Sequence, residues 1–323
     1  MPKISVLIPV HNREELILPC IESARAQTFR DIEIIVSDNA STDGTLKVCE
    51  ELAKKDKRIS VLRNGTNQGP VLNWRRCMEA ARGEFGKILF SDDLMAPKFL
   101  EKTVPFLSDE RVGFVFSEVA IGSGRRRNRI DYRWKRRTGV FPSTEFIGAA
   151  LRGSTVPVSP GAGLFRMTDL RKNLIVKTPD GKHGDVFCAY GAGPDMLIYM
   201  LTARQYPLVG FIADPLVFFR VHGDSITMKR SVEVIDGYTR AAVWFLENGL
   251  NDKMKLSEVV ARAWLTTLYA RRRYTSWSSF VRRYTAYSLR FPIFYAVVVS
   301  YRLLVRRLSR LVQFRKDWVQ ARN

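Results

Sequence analysis

The sequence has little cysteine: four residues in 323, at Cys20, Cys49, Cys77 and Cys188, with no C-x-x-C pair. Such scattered thiols exclude a disulfide framework and read as the reduced cysteines of a cytoplasmic protein. Long hydrophobic runs are missing too. No uncharged stretch reaches the ~18 residues of a membrane span, and the apolar run over 291–301 is too short to cross a bilayer. A β-like run begins within three residues of Met1, which leaves no room for a signal peptide. Internal repeats and low-complexity linkers are absent. With 46% hydrophobic and 26% charged residues, global disorder is excluded as well.

Negative charge is the other scarcity. Against 52 Lys+Arg stand 32 Asp+Glu, for a net charge of +20. The excess is local: residues 251–323 hold 16 basic and 3 acidic side chains, and Arg125–Arg137 holds 8 basic and 1 acidic, which leaves the remainder close to neutral. Those two stretches need their own explanation.

The first half alternates between two periods. Ile4–Pro9, Ile32–Ser37, Ile59–Arg63, Lys87–Phe90 and Gly113–Phe116 are short, continuous apolar runs, the pattern of strands buried on both faces. Between them, Glu14–Gln27, Thr45–Lys55, Pro70–Ala81 and a stretch near Pro97–Leu107 read as helices. That alternation predicts an α/β fold with a doubly wound parallel sheet. Ligands of such sheets bind beyond the carboxyl ends of the strands. Three polar clusters stand there: Pro9-Val10-His11-Asn12, Ser37 to Thr45 and Ser91-Asp92-Asp93. A strand-end carboxylate can accept from a nucleobase or ribose. A second can hold Mg²⁺ or Mn²⁺ together with phosphate oxygens. Taken singly, each cluster is also ordinary turn chemistry.

In order and spacing the half resembles family 2 glycosyltransferases, which are inverting, nucleotide-sugar-dependent enzymes of the GT-A Rossmann-like fold. The resemblance rests on S-V-L-I-P-V-H-N at 5–12, Q-T-F-R-D-I-E-I-I-V-S-D-N-A-S-T-D-G-T at 27–45, N-Q-G at 67–69 and F-S-D-D at 90–93. It implies that Pro9, His11, Asn12 and Asp38 line the nucleotide pocket, with Asp38 on the base. It further implies that Asp92 approaches the ribose and diphosphate and that Asp93 ligates a divalent cation, Mn²⁺ or Mg²⁺. Two positions depart from the family pattern: Phe90 stands where D-x-D-D has its first Asp, and His11 replaces the usual Tyr, although an imidazole still stacks on a base.

The resemblance extends more weakly to about residue 228. Gly191-Ala-Gly-Pro-Asp195 is similar to the segment whose Asp opens a helix and deprotonates the acceptor hydroxyl; Pro194 leaves one carboxylate where the family often has two. Asp195 in that first turn also suits the helix dipole, whatever its chemistry. Phe219-Arg220-Val-His222-Gly-Asp-Ser225 is similar to the family's R-x-H-x-x-S segment. This implies that Arg220 and His222 attend the nucleotide diphosphate, with His222 also a metal ligand.

The tail leaves two readings open. Ala296–Val312 sets Tyr301, Leu304, Leu308 and Leu311 on one side of a helix, with Arg302, Arg306 and Arg310 on another. Basic residues interleaved with aromatics suit either an anionic membrane surface or nucleic acid. The Leu stripe favours the membrane; a third reading, a helical cap packed on the catalytic domain with a solvated basic face, is compatible with membrane contact. The expectation is therefore a catalytic domain over residues 1–228, with a nucleotide-sugar half at 1–110 and an acceptor half at 111–228. A basic amphipathic helical region follows over 229–323. The implied substrates are a nucleotide-sugar donor and a glycan or lipid-linked acceptor in bacterial surface polysaccharide or lipopolysaccharide synthesis. The implied place is the cytoplasm, peripheral on the inner face of the cell membrane, with no nucleic acid partner. The competing readings are a nucleotidyltransferase of similar sheet topology, which would carry a Gly-rich loop after the first strand, and a basic nucleic-acid-binding protein.

Overall fold

Every residue of β1 (Ile4–Val10) and β2 (Ile32–Asp38) is buried, as continuous β-branched runs require when both sheet faces are covered. β1 pairs in parallel with β2 on one side and with β4 (Phe85–Ile88) on the other, and β2 pairs in parallel with β3 (Ile59–Arg63). The helices Glu14–Arg25, Thr45–Lys55 and Pro70–Ala80 are the crossovers. Their apolar stripes, such as Ile17, Cys20, Ile21 and Ala24, enter one core with Val6, Ile8, Ile34 and Val36. Cys20, Cys49 and Cys77 are free and buried.

These coordinates are a computed structural model that describes residues 1–123, 129–153, 155–177, 191–223, 231–269 and 276–293, with Val297 and Tyr301. The chain divides into two units, Met1–Ala241 and Ala242–Asn323, each described by itself. In the first, ten strands form one mixed sheet in the order β3-β2-β1-β4-β9-β6-β10-β5, with β7 beside β6 and β8 beside β10. β1, β2, β3 and β4 are parallel, as expected. Beyond them, β9 (Gly163–Arg166) runs antiparallel to both β4 and β6 (Val112–Gly122), β10 (Leu208–Arg220) runs parallel to β6, and β5 (Asp93–Met95) runs antiparallel to β10. The short β7 (Arg129–Asp131) and β8 (Gly139–Pro142) complete the sheet.

The fourth strand ends earlier than the apolar run suggests. Leu89 and Phe90 lie past Ile88, because the Asp93 amide donates to the Phe90 carbonyl (2.9 Å) and closes a turn over 90–93. Phe90 instead packs its ring on Trp74, with centroids 5.4 Å apart.

Lys87 on β4 is fully buried. Its ammonium donates to the Gly161 carbonyl and lies over the Phe99 ring, 4.3 Å from the centroid. Burial pushes the amine down from 10.5 to about 7. Between those two values the unfolded chain binds more protons than the folded one, so stability must rise with pH, by up to about 1.4 kcal/mol per unit. In Lys87→Met that rise should vanish, and the variant should be more stable than the parent at pH 7. Urea titrations at pH 7, 8 and 9 check this; equal slopes in both proteins would contradict it.

The second unit holds the helices Lys253–Tyr269 and Trp277–Arg282. Trp264, Trp277 and Phe291 form a ring cluster there, with centroids 5.0 to 5.5 Å apart. No helix among the described residues is long and apolar enough to cross a membrane. The stripe proposed for Ala296–Val312 lies outside the described residues except at Val297 and Tyr301.

Candidate active site

The loops after β1 and β2 brace each other. The Asn12 amide N–H donates to Ser41 Oγ (2.9 Å), and Asn12 Oδ1 accepts from the Thr42 amide (2.9 Å). Arg13 N–H donates to Thr45 Oγ1 at 2.7 Å, and the Gly44 amide to Glu14 Oε2 at 2.9 Å. A Cβ on Gly44 would stand 2.2 Å from that carboxylate, so the contact needs glycine. Asn12, at φ +50°, is a residue type that tolerates the left-handed region. Its amide is thus engaged in the bracing.

Asp38 behaves differently. One carboxylate oxygen accepts from the Ser41 amide (3.0 Å), while Oδ1 is buried with no partner. His11 Nδ1 beside it in the chain's first strand-end cluster is likewise buried and unpartnered. Buried polar atoms are nearly always satisfied, so two orphans at two adjacent strand ends mark where a polar ligand fits. Behind them Asn39, Asn64 and Asn73 form an amide network that sequence reading missed, in which only Asn64 Oδ1 has no partner among the described residues. Asn64 Nδ2 donates to Asn39 Oδ1 (2.9 Å) and Asn73 Oδ1 (3.2 Å), and Asn73 Nδ2 donates to the Ser37 carbonyl (2.8 Å). The only local hint was N-Q-G, whose Asn67 accepts from Asn39 Nδ2 at 2.8 Å.

A second group gathers at the 90–93 turn. Asp93 opens β5 opposite Phe219 of β10, which brings the Arg220 segment onto it. The Arg220 amide donates to Asp93 Oδ1 (3.2 Å), and its guanidinium donates to the carbonyls of Asp92, Leu16 (2.8 Å) and Ser91 (3.3 Å). Arg220 therefore clamps the turn that carries both aspartates. His222 Nε2 sits 2.9 Å from Asp92 Oδ2. Burial, then the neighbouring Asp92 charge, holds the Asp93 carboxyl well above its ordinary range.

The third element is Asp195. Gly191 (φ +71°) and Gly193 (φ +118°) set the turn before the helix Pro194–Gln205, and a Cβ on Gly191 would strike the Trp74 ring at 2.7 Å. Asp195 Oδ1 accepts from the amides of Gly193 (2.8 Å) and Met196 (2.7 Å). Oδ2 accepts from the Tyr238 hydroxyl at 2.7 Å. Burial raises the carboxyl to about 7, and these three donors hold it from rising further. Tyr238 comes from the helix Ser231–Phe245, where a Cβ on Gly237 would meet the Ala192 carbonyl at 2.4 Å. No local signature could have found a partner so far along the chain.

Asp92, Asp93, Arg220 and His222 thus form one cluster, and Pro9, His11, Asn12 and Asp38 line the adjoining strand ends. Ser225, His183, Asp180 and Asp185 lie outside the described residues. No three His, Cys, Asp or Glu side chains converge on one point among the described residues. A divalent cation nevertheless fits the donor set. Asp93 is buried with the Asp92 charge acting on it, and hard cations are held by one or two carboxylates plus substrate phosphates.

The sequence profile described as glycosyl transferase family 2 matches residues 5–174. Over 237 residues the chain is 31% identical to the Escherichia coli UDP-Glc:alpha-D-GlcNAc-diphosphoundecaprenol beta-1,3-glucosyltransferase WfaP, covering 73% of this chain and 84% of that protein. It is 35% identical over 132 residues to the putative glycosyltransferase EpsE of Bacillus subtilis, covering 38% of this chain and 48% of EpsE. It is also 44% identical over 94 residues to the Campylobacter jejuni GalNAc(5)-diNAcBac-PP-undecaprenol beta-1,3-glucosyltransferase, covering 29% of this chain and 30% of that enzyme. Apart from WfaP, the matches to these relatives span less than half of their length. Among solved structures, Staphylococcus aureus TarS 1–349 in complex with UDP shares the fold, with a TM-score of 0.63 at 19% identity, covering 84% of this chain and 76% of that one.

Proposed function

Since the chain belongs to glycosyl transferase family 2, we propose that it moves a sugar from a nucleotide-sugar donor to a glycan or lipid-linked acceptor, inverting the anomeric centre. The observation that carries this is Asp195: a buried carboxylate at a helix start, held by three donors and raised to about 7. A base serves best when its pKa lies near the working pH.

In this reading the unpaired Asp38 oxygen accepts from the nucleobase, and His11 stacks beside it. Arg220 keeps Asp92 and Asp93 in place under the diphosphate. A divalent cation held at Asp93, with His222 and Asp92 alongside, would neutralise charge on the departing diphosphate. Asp195 takes the acceptor hydroxyl's proton as that oxygen bonds to the anomeric carbon. The bond from that carbon to the diphosphate breaks on the opposite face, and the diphosphate leaves with the electron pair. One displacement gives inversion. WfaP and the C. jejuni enzyme are named for diphosphoundecaprenol-type acceptors, which supports a lipid-linked acceptor and surface-polysaccharide synthesis here.

Thermal unfolding with UDP, GDP or dTDP tests the donor site, in Mn²⁺ and in EDTA. One of the three should stabilise the protein, by about 2.7 kcal/mol at a hundred times its Kd. No shift with any of them would sink the reading.

A lipid-linked acceptor makes attachment to an anionic cytoplasmic membrane face useful. Exposed Met254 (74%), Ile293 (71%), Val297 (64%) and Tyr301 (67%), in a strongly basic region, support that attachment. Replacing Arg302, Arg306, Arg307 and Arg310 with Gln should release the protein from anionic vesicles, at ~1 kcal/mol per residue, with nucleotide binding kept. Unchanged co-sedimentation, with loss of nucleic-acid retention instead, would turn the tail toward nucleic acid.

A further inference from the structure

Among the described residues four non-glycines have a left-handed backbone: Asn12, Ala40, Asn251 and Tyr132. Asparagine tolerates that region, whereas a tyrosine at φ +60° is an outlier. Strain of this kind persists only where the surroundings over-determine it, and it collects at ligand sites. At Tyr132 the surroundings do so. Its amide donates to Asp131 Oδ1 (3.0 Å), and its carbonyl accepts from the Trp134 amide (2.9 Å). The ring stands edge-on to Phe219, with centroids 6.3 Å apart and planes at 77°.

Phe219 is the β10 residue paired with Asp93, so this contact puts the tyrosine on the donor carboxylate's side of the sheet. Burial first, then the charges of Asp131, Asp195 and Asp93, raise the Tyr132 phenol, and the phenol in turn acts on Tyr199 and Tyr238. The phenol thus lies within electrostatic reach of the candidate base and of the candidate donor carboxylate. Burial keeps it protonated, hence a donor. Among the described residues it donates to no acceptor, whereas Tyr238 donates to Asp195 and Tyr206 to Asp169.

We propose that Tyr132 is a sugar-contacting residue: its strained backbone holds an unspent phenolic donor against Phe219, the strand partner of Asp93, where a hydroxyl of the transferred sugar receives it. The proposal rests on reading Asp93 and Asp195 as the two ends of the reaction.

The test is calorimetric titration of the parent, Tyr132→Phe and Tyr132→Asn with UDP, UDP-glucose and UDP-N-acetylglucosamine. UDP reports the nucleotide subsite alone. Both variants should bind UDP within twofold of the parent. For whichever nucleotide-sugar the parent binds, Tyr132→Phe should lose about tenfold, the value of one hydrogen bond, and Tyr132→Asn more. Melting temperature should be unchanged in Tyr132→Phe, which keeps the ring on Phe219; in Tyr132→Asn the relief of backbone strain is set against the lost ring packing. If UDP and nucleotide-sugar affinities fall together, or neither falls, Tyr132 does not contact the sugar. If the parent binds none of UDP, GDP and dTDP in the thermal test above, the glycosyltransferase reading itself fails, and this role with it.

Discussion

Asp195→Asn should lower sugar transfer by at least ~10²-fold while leaving nucleoside diphosphate affinity nearly unchanged, because a positioned base contributes ~10²–10⁴-fold and touches only the acceptor proton. Asparagine keeps the size and still accepts from the Gly193 and Met196 amides, so the helix start survives. The expected stability change separates this role from a structural one. The carboxyl is raised from 3.8 to about 7 in the fold. Its folded pKa therefore exceeds the unfolded value, and the buried charge costs stability increasingly as pH rises from about 4 to 7. Removing that charge should leave the melting temperature at pH 8 equal or higher. A helix-start carboxylate with no other role would give the reverse: transfer at the parental rate with a lower melting temperature. The base would then be sought at Glu118, Asp180 or Asp185.

Asp93→Ala should abolish the metal dependence of nucleotide binding. Asp93 is the buried member of the acidic pair, and Asp92 is already engaged by His222 at 2.9 Å. Alanine leaves the cation without its enclosed ligand, so titrations with UDP should give the same Kd in Mn²⁺ and in EDTA. Asp38→Ala is the matched control. It removes the unpaired oxygen from the base subsite, so affinity should fall by roughly tenfold or more, the range of a hydrogen bond to a charged group, with the Mn²⁺ effect intact. Retained metal dependence in Asp93→Ala would remove the metal assignment.

The first strands were legible because they are continuous apolar runs joined by helices of ordinary length. β1, β2 and β3 read directly as apolar runs, and the polar residues after them could be placed by topology alone. Phe90 was misread as strand for the same reason: an apolar residue extends an apolar run, and only the closing Asp93-to-Phe90 hydrogen bond shows a turn. The strands after residue 90 were harder. β5, β7, β8 and β9 are three or four residues long, too short for a periodic signal. β10 holds Pro215 and shifts register on both sides of it, so it does not read as a strand of 13 residues. The helix start at Asp195 was legible because Pro-Asp marks one; the role of Asp195 as a base came from the resemblance alone. Its partner Tyr238, the buried Lys87 and the strained Tyr132 were not. Each acts through a contact made across the fold rather than along the chain.

The measurement that most directly tests Asp195 as the base is the pH dependence of kcat for the parental chain with a turned-over nucleotide-sugar. Slow donor hydrolysis serves where no acceptor is known. A base raised to about 7 must lose its proton to work. The rate should therefore climb tenfold per unit below that value and level off above it, and Asp195→Asn should lack the limb. A rate that is flat from pH 5 to 9, or a limb that survives in Asp195→Asn, would contradict the account.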